Sequence, residues 1–79
     1  MKIRVLVVED EPPIQRSICQ KIEESNENYI VVAAIDNGKD AMQYLKEHPV
    51  DVMFVDMNLP IVSGKELLKF CYSEKLPVL

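Results

Sequence analysis

Three apolar runs punctuate the chain: Ile3 to Val8, Tyr29 to Ile35 and Val52 to Val55. None shows polar alternation, and Arg4 is the one interruption, near the start of the first. Continuous β-branched and aliphatic runs of this length predict strands covered on both faces, as in a parallel sheet. Between them the apolar spacing turns helical. Ile14, Ile18 and Ile22 recur every four residues and predict the inward face of a helix that Pro12-Pro13 opens and that runs to about Ser25. Asn26-Glu27-Asn28 is a polar turn. Asp36-Asn37-Gly38 ends the second strand, and a helix from Lys39 to about Glu47 follows, with Ala41, Met42 and Leu45 inward and Pro49 as its stop. After Pro60, Ser63 and Glu66 form a capping-box spacing for a third helix. Leu67, Leu68 and Cys71 supply its buried face up to about Ser73. Pro77-Val78-Leu79 reads as the first residues of a fourth strand.

The predicted order is therefore β-α-β-α-β-α-β, an α/β fold with right-handed crossovers and a parallel sheet. The last strand breaks off as it begins, so the expectation is the N-terminal portion of a larger domain. The organising stretch is Val50 to Pro60, a buried strand that emerges on Asp56. In open α/β sheets, ligands bind at the carboxyl edge of the strands.

Composition narrows the function classes. The chain has 79 residues, enough for one small domain. A net charge of −4 gives no electrostatic footprint for nucleic acid or an anionic membrane. No stretch approaches the ~20 apolar residues a bilayer requires, and Val5 to Val8 is too short for a signal peptide. A cytoplasmic location is expected. Cys19 and Cys71 lack metal or redox spacing and read as small hydrophobes. His48, beside Pro49, reads as a solvated helix cap. No glycine-rich phosphate loop follows a strand, which disfavours nucleotide or flavin binding.

The candidate chemistry lies in carboxylates. Glu9 and Asp10 follow the first strand and Asp56 the third, whereas Asp51 begins its strand and belongs at the opposite edge. If the sheet reverses its winding between these strands, the three acids meet in one crevice. Carboxylates that close repel one another unless a cation joins them. Oxygen-only donors favour a hard ion such as Mg²⁺, and a carboxylate beside it can attack phosphorus to give an aspartyl phosphate. The same acids would also suit ordinary turns and helix N-termini, and spacing alone leaves both readings open.

The run Val5-Leu6-Val7-Val8-Glu9-Asp10-Glu11-Pro12 resembles the opening of a bacterial two-component response regulator receiver domain. So does Val52 to Pro60, with Asp56, Pro60 and Gly64 at four-residue intervals, and Asn37-Gly38 before the second helix. The resemblance spans essentially the whole chain and implies a flavodoxin-like fold, here three strands and three helices plus the start of a fourth strand. It makes Asp56 the phosphoacceptor, Asp10 the main Mg²⁺-binding acid and Glu9 its acidic neighbour. Asn58 would complete the metal site through its backbone carbonyl. It further implies phosphorylation by a sensor histidine kinase without enzymatic turnover, and a separate output, DNA-binding in the usual arrangement, in a parent protein.

The family's phosphoryl-sensing Ser or Thr and its Lys have no counterpart in these 79 residues. Its last helix shares a face of the sheet with the first. Apolar atoms on the first and third strands are therefore expected to be partly uncovered, and the chain to self-associate. A non-phosphorylated pseudo-receiver, acting only as a protein-interaction module, is the alternative. A phosphohydrolase of the haloacid-dehalogenase type also uses an Asp after a strand, but it needs a second acid where Asn58 stands.

Overall fold

The computed structural model describes residues 2–56 and 63–73. The elements are β1 (Ile3–Val8), α1 (Pro12–Ser25), β2 (Tyr29–Ile35), α2 (Gly38–Glu47), β3 (Val52–Val55) and α3 (Gly64–Ser73). The strands form one parallel sheet in the order β2-β1-β3. The chain steps from β1 outward to β2 and then crosses back to the other side of β1. That reversal is the topological switch the acidic pocket requires. The fourth strand expected at Pro77 to Leu79 lies outside the described residues.

The principal core sits on the face covered by α2 and α3. Leu6 and Val8 of β1 pack there with Met53, Val50, Ala41, Leu45, Leu67 and Cys71. Leu6 and Leu67 are fully buried, and each such side chain contributes about 1.5–3 kcal/mol of transfer free energy. On α3 the buried stripe is Gly64, Leu67 and Cys71, whereas Leu68 is exposed. The expected burial of Leu68 is thus corrected: residues 67 and 71 share one face at i, i+4, and residue 68 is turned about a quarter of a circle away.

Among the described residues the opposite face carries α1 alone, and none of the residues of α1 is buried. The predicted buried face is thus corrected: Ile18 and Ile22 turn toward the sheet beside Phe54 and are only half-covered, and Ile14 is exposed. The expected uncovering of the strands is correct for β3 only. Phe54 is 53% exposed, yet Val5 and Val7 of β1 are buried. β1 is the central strand, shielded by its two neighbours and by α1, whereas β3 is an edge among the described residues.

β2 carries a feature the apolar run concealed. Val5 pairs with Val31 but Leu6 pairs with Ala33, so Val32 is an extra residue, a bulge in a parallel ladder. Val32 and Ala33 both pack toward the α2–α3 face as a result. The shift brings Ile35 level with Val8, where the Ile35 carbonyl accepts from the Glu9 amide at 2.9 Å.

Local capping explains where α2 begins. Asn37 is its N-cap, its side-chain oxygen accepting from the Asp40 amide at 2.8 Å, so the helix starts at Gly38, one residue before the expected Lys39. Asn37→Ala is expected to lower stability by about 1 kcal/mol, read as a reduced urea midpoint at unchanged slope. His48 closes the helix as predicted, donating its amide to Tyr44 O at 2.9 Å. Ser63 caps α3 through its hydroxyl, which accepts from the Glu66 amide at 3.2 Å.

Candidate functional site: an acidic pocket at the carboxyl edge of the sheet

Glu9, Asp10 and Asp56 converge at the carboxyl ends of β1 and β3. One carboxylate oxygen from each lies within 4.8 Å of the others. Backbone pairing sets this convergence. The Glu9 amide donates to Ile35 O, and the Asp56 amide donates to Val8 O at 3.0 Å. Both strand ends are therefore held by the ladder itself. The β1–α1 loop is then fixed by Gln15, whose Nε2 donates to Glu9 O at 3.0 Å. Sequence reasoning missed Gln15, because a glutamine in the first turn of a helix carries no signal of its own.

The three acids differ in environment. Glu9 is buried, Asp56 half-buried and Asp10 exposed. The Asp10 amide donates to Glu9 Oε2 at 3.0 Å. Burial raises the Glu9 carboxyl above its ordinary value, and a hydrogen bond with the Asp56 carboxyl and that group's charge raise it further. Among the described residues, the neighbours that act on Glu9 are the acids Asp56 and Asp10. A buried carboxylate crowded by two others, with oxygen-only donors, fits a small hard cation. The fit rests on this crowding: a divalent ion among the three would reverse the penalty that now opposes ionisation of Glu9. A hollow lined by Val8, Glu9, Ile18, Phe54, Val55 and Asp56 adjoins the acids on the α1 side. Asn58, expected to offer its backbone carbonyl, lies outside the described residues.

Asp51 sits at the opposite edge, as its position before β3 predicted. There it pairs with Arg4: Arg4 Nε donates to Oδ2 at 3.0 Å and Nη2 to Oδ1 at 3.1 Å. The hydrogen bonds from Arg4 lower the Asp51 carboxyl from 3.8 to about 2. A carboxyl depressed in the folded state adds stability above its unfolded value and loses it as pH falls through the folded one. The contribution of this pair is thus expected to fade between about pH 4 and pH 2. Acid unfolding of wild type compared with Asp51→Asn checks this, the variant lacking that component.

A parallel sheet that reverses at its central strand, with three carboxylates gathered at that point, defines an α/β domain of flavodoxin-like type with an acidic, cation-suited pocket. The family model for the response regulator receiver domain matches residues 5–78. The chain belongs to the response regulator receiver domain family. It is 38% identical over 77 residues to a protein-glutamate methylesterase/protein-glutamine glutaminase of Clostridium acetobutylicum, a match covering 98% of this chain and 22% of that protein. It is 35% identical over 80 residues to the response regulator GtcR of Aneurinibacillus migulanus, covering 100% of this chain and 32% of that protein. Among solved structures, the receiver domain of AraT, a response regulator from Geobacillus stearothermophilus, superposes with a TM-score of 0.83 at 38% identity. That match covers 99% of this chain and 60% of the solved one. The chain thus spans a third or less of these curated relatives and about three-fifths of the solved receiver.

Proposed function

We propose that this chain is the phosphoacceptor part of a response regulator, with Asp56 taking a phosphoryl group from a sensor histidine kinase in the presence of Mg²⁺. The observation that carries the reading is the convergence of Glu9, Asp10 and Asp56 at the sheet's switch point. Asp10 and Glu9 would hold the ion, with an oxygen of Asp56 and the Asn58 carbonyl. When bound, Mg²⁺ neutralises charge on the transferring phosphoryl group and on its acceptor. The residues supply the rest. Asp56, held on the β3 terminus by its amide bond to Val8 O, presents a nucleophilic oxygen, and the donor–phosphorus bond breaks as the Asp56 oxygen–phosphorus bond forms. Burial raises the Glu9 carboxyl, and a cation in the pocket would favour its ionised form.

In this reading the chain assists its own modification and turns over no substrate. It spans residues 1–79 as the N-terminal part of a receiver domain and works in the cytoplasm. Among the described residues no helix is long and apolar enough to cross a membrane. The output, DNA-binding in our reading, belongs to the parent protein. The likeness to a methylesterase favours a second possibility, an enzymatic output carried by another domain.

Acetyl phosphate tests the chemistry without knowledge of the kinase. Incubation with Mg²⁺ is expected to give one phosphoryl group per chain, base-labile, mapping to Asp56 and absent when Mg²⁺ is chelated. A serine or lysine adduct, or one indifferent to chelation, would count against it. The uncovered Phe54 beside the β3 edge also predicts self-association. Sedimentation at tens of micromolar should show species above the monomer, whereas a strict monomer would exclude this.

A further inference from the structure

The acidic pocket and the Arg4–Asp51 pair occupy the two ends of a single strand register. β1 pairs with β3 at Val5–Val52, Leu6–Met53, Val7–Phe54 and Val8–Val55, a constant offset of 47 residues. Arg4 and Asp51 continue that offset at one end, Glu9 and Asp56 at the other. β3 is only four residues long, and all four are apolar. Its four apolar residues alone do little to choose between registers two residues apart; a slip of two would instead set Asp51 opposite Leu6 or Asp56 opposite Val7, so the charged residues flanking the strand carry the choice. The pocket, by contrast, tolerates no such slip. Two residues along a strand is about 6.6 Å, more than the 4.8 Å within which the three carboxylates gather. A one-residue slip would turn Asp56 to the other face of the sheet.

Asp51 is held to Arg4 by four hydrogen bonds. Its Oδ2 accepts from the Arg4 amide at 2.8 Å and from Nε at 3.0 Å, and its Oδ1 accepts from Nη2 at 3.1 Å. Its own amide donates to Arg4 O at 2.9 Å. The side chains are 43% and 39% exposed, so as a source of stability the pair is weak. As a directional device it is strong, because a fork that binds both carboxylate oxygens admits one alignment.

We propose that Arg4 and Asp51 are positioning residues that lock β3 in register on β1, and so set Asp56 against Glu9 and Asp10 about 16 Å away along the strands. The proposal rests on the reading of the acids as a Mg²⁺ and phosphoacceptor site, but the lock can be measured separately from it.

The test compares the full chain with Asp51→Ala and Arg4→Lys by proton–proton contacts across β1–β3 and by the Mg²⁺ dissociation constant of the folded species. Asp51→Ala is expected to lose or displace the Val7–Phe54 contacts and to weaken Mg²⁺ binding about 10–100-fold, the range seen when groups that orient ligands are removed. Arg4→Lys keeps the charge without the fork and should fall in between. A merely stabilising pair would lower the melting temperature while leaving the contacts and the folded-state affinity as in wild type, and that result overturns the proposal. If Asp51→Ala does not fold, Arg4→Lys decides on the same criteria. If wild type binds no Mg²⁺, the site reading fails, and the Val7–Phe54 contacts alone decide the lock.

Discussion

An Asp56→Asn variant is expected to take up no phosphoryl group from acetyl phosphate and Mg²⁺, a loss of at least about 100-fold against wild type. An amide oxygen is a poor nucleophile, and the two neighbouring carboxylates are held in other roles. Asp10 is fixed through its amide to Glu9 Oε2, and Glu9 is buried with its carboxyl raised. The variant also provides its own control for folding. Part of what raises Glu9 is the hydrogen bond and charge of Asp56. A carboxyl raised in the folded state contributes stability below its ordinary value of 4.5, and that contribution is lost as pH rises through the raised value. Removing the Asp56 charge reduces that loss. At neutral pH without metal, Asp56→Asn should therefore melt at or above the wild-type temperature. A loss of phosphorylation accompanied by unfolding would not support the nucleophile assignment; a loss with equal or higher melting temperature would.

The largest effect on stability is expected at Leu6. It is fully buried at the centre of the sheet, facing α2 and α3, and truncation to alanine leaves a cavity that the two flanking strands cannot close. Leu6→Ala should cost about 2–5 kcal/mol, a large share of the ~5–15 kcal/mol available to a whole domain. Leu68→Ala, on the exposed side of α3, should stay within about 0.5 kcal/mol. Urea unfolding of the two variants checks the contrast directly. Equal losses would mean that α3 packs through Leu68 and that its orientation here is wrong.

The strands were legible because a parallel sheet buries both faces, so each run of apolar residues maps onto one strand. Ile3–Val8, Tyr29–Ile35 and Val52–Val55 are observed with the bounds the apolar runs predict. The convergence of Glu9, Asp10 and Asp56 was legible for a related reason: strand ends on one edge of a sheet that reverses its winding must meet. What escaped depended on partners far along the chain. Continuous apolar character hides phase, so the extra Val32 in β2 left no trace in the pattern. Arg4 looked like an exposed interruption, and only pairing at an offset of 47 residues gives it Asp51. The run around Phe54 read as core, and its uncovering was foreseen only through the resemblance, because exposure at an edge depends on what lies beside β3 and not on β3 itself. Leu68 was misplaced by counting apolar residues in place of following the i, i+4 stripe.

Three carboxylates brought together by the sheet form, in our proposal, a divalent-cation and phosphoacceptor pocket. Amide proton–nitrogen spectra of the chain recorded with and without millimolar Mg²⁺ test it most directly. A dispersed spectrum is expected in which the Glu9, Asp10 and Asp56 peaks move saturably with Mg²⁺, while those of Arg4 and Asp51 at the far edge stay in place. A dispersed spectrum in which the three acids ignore Mg²⁺ would contradict it.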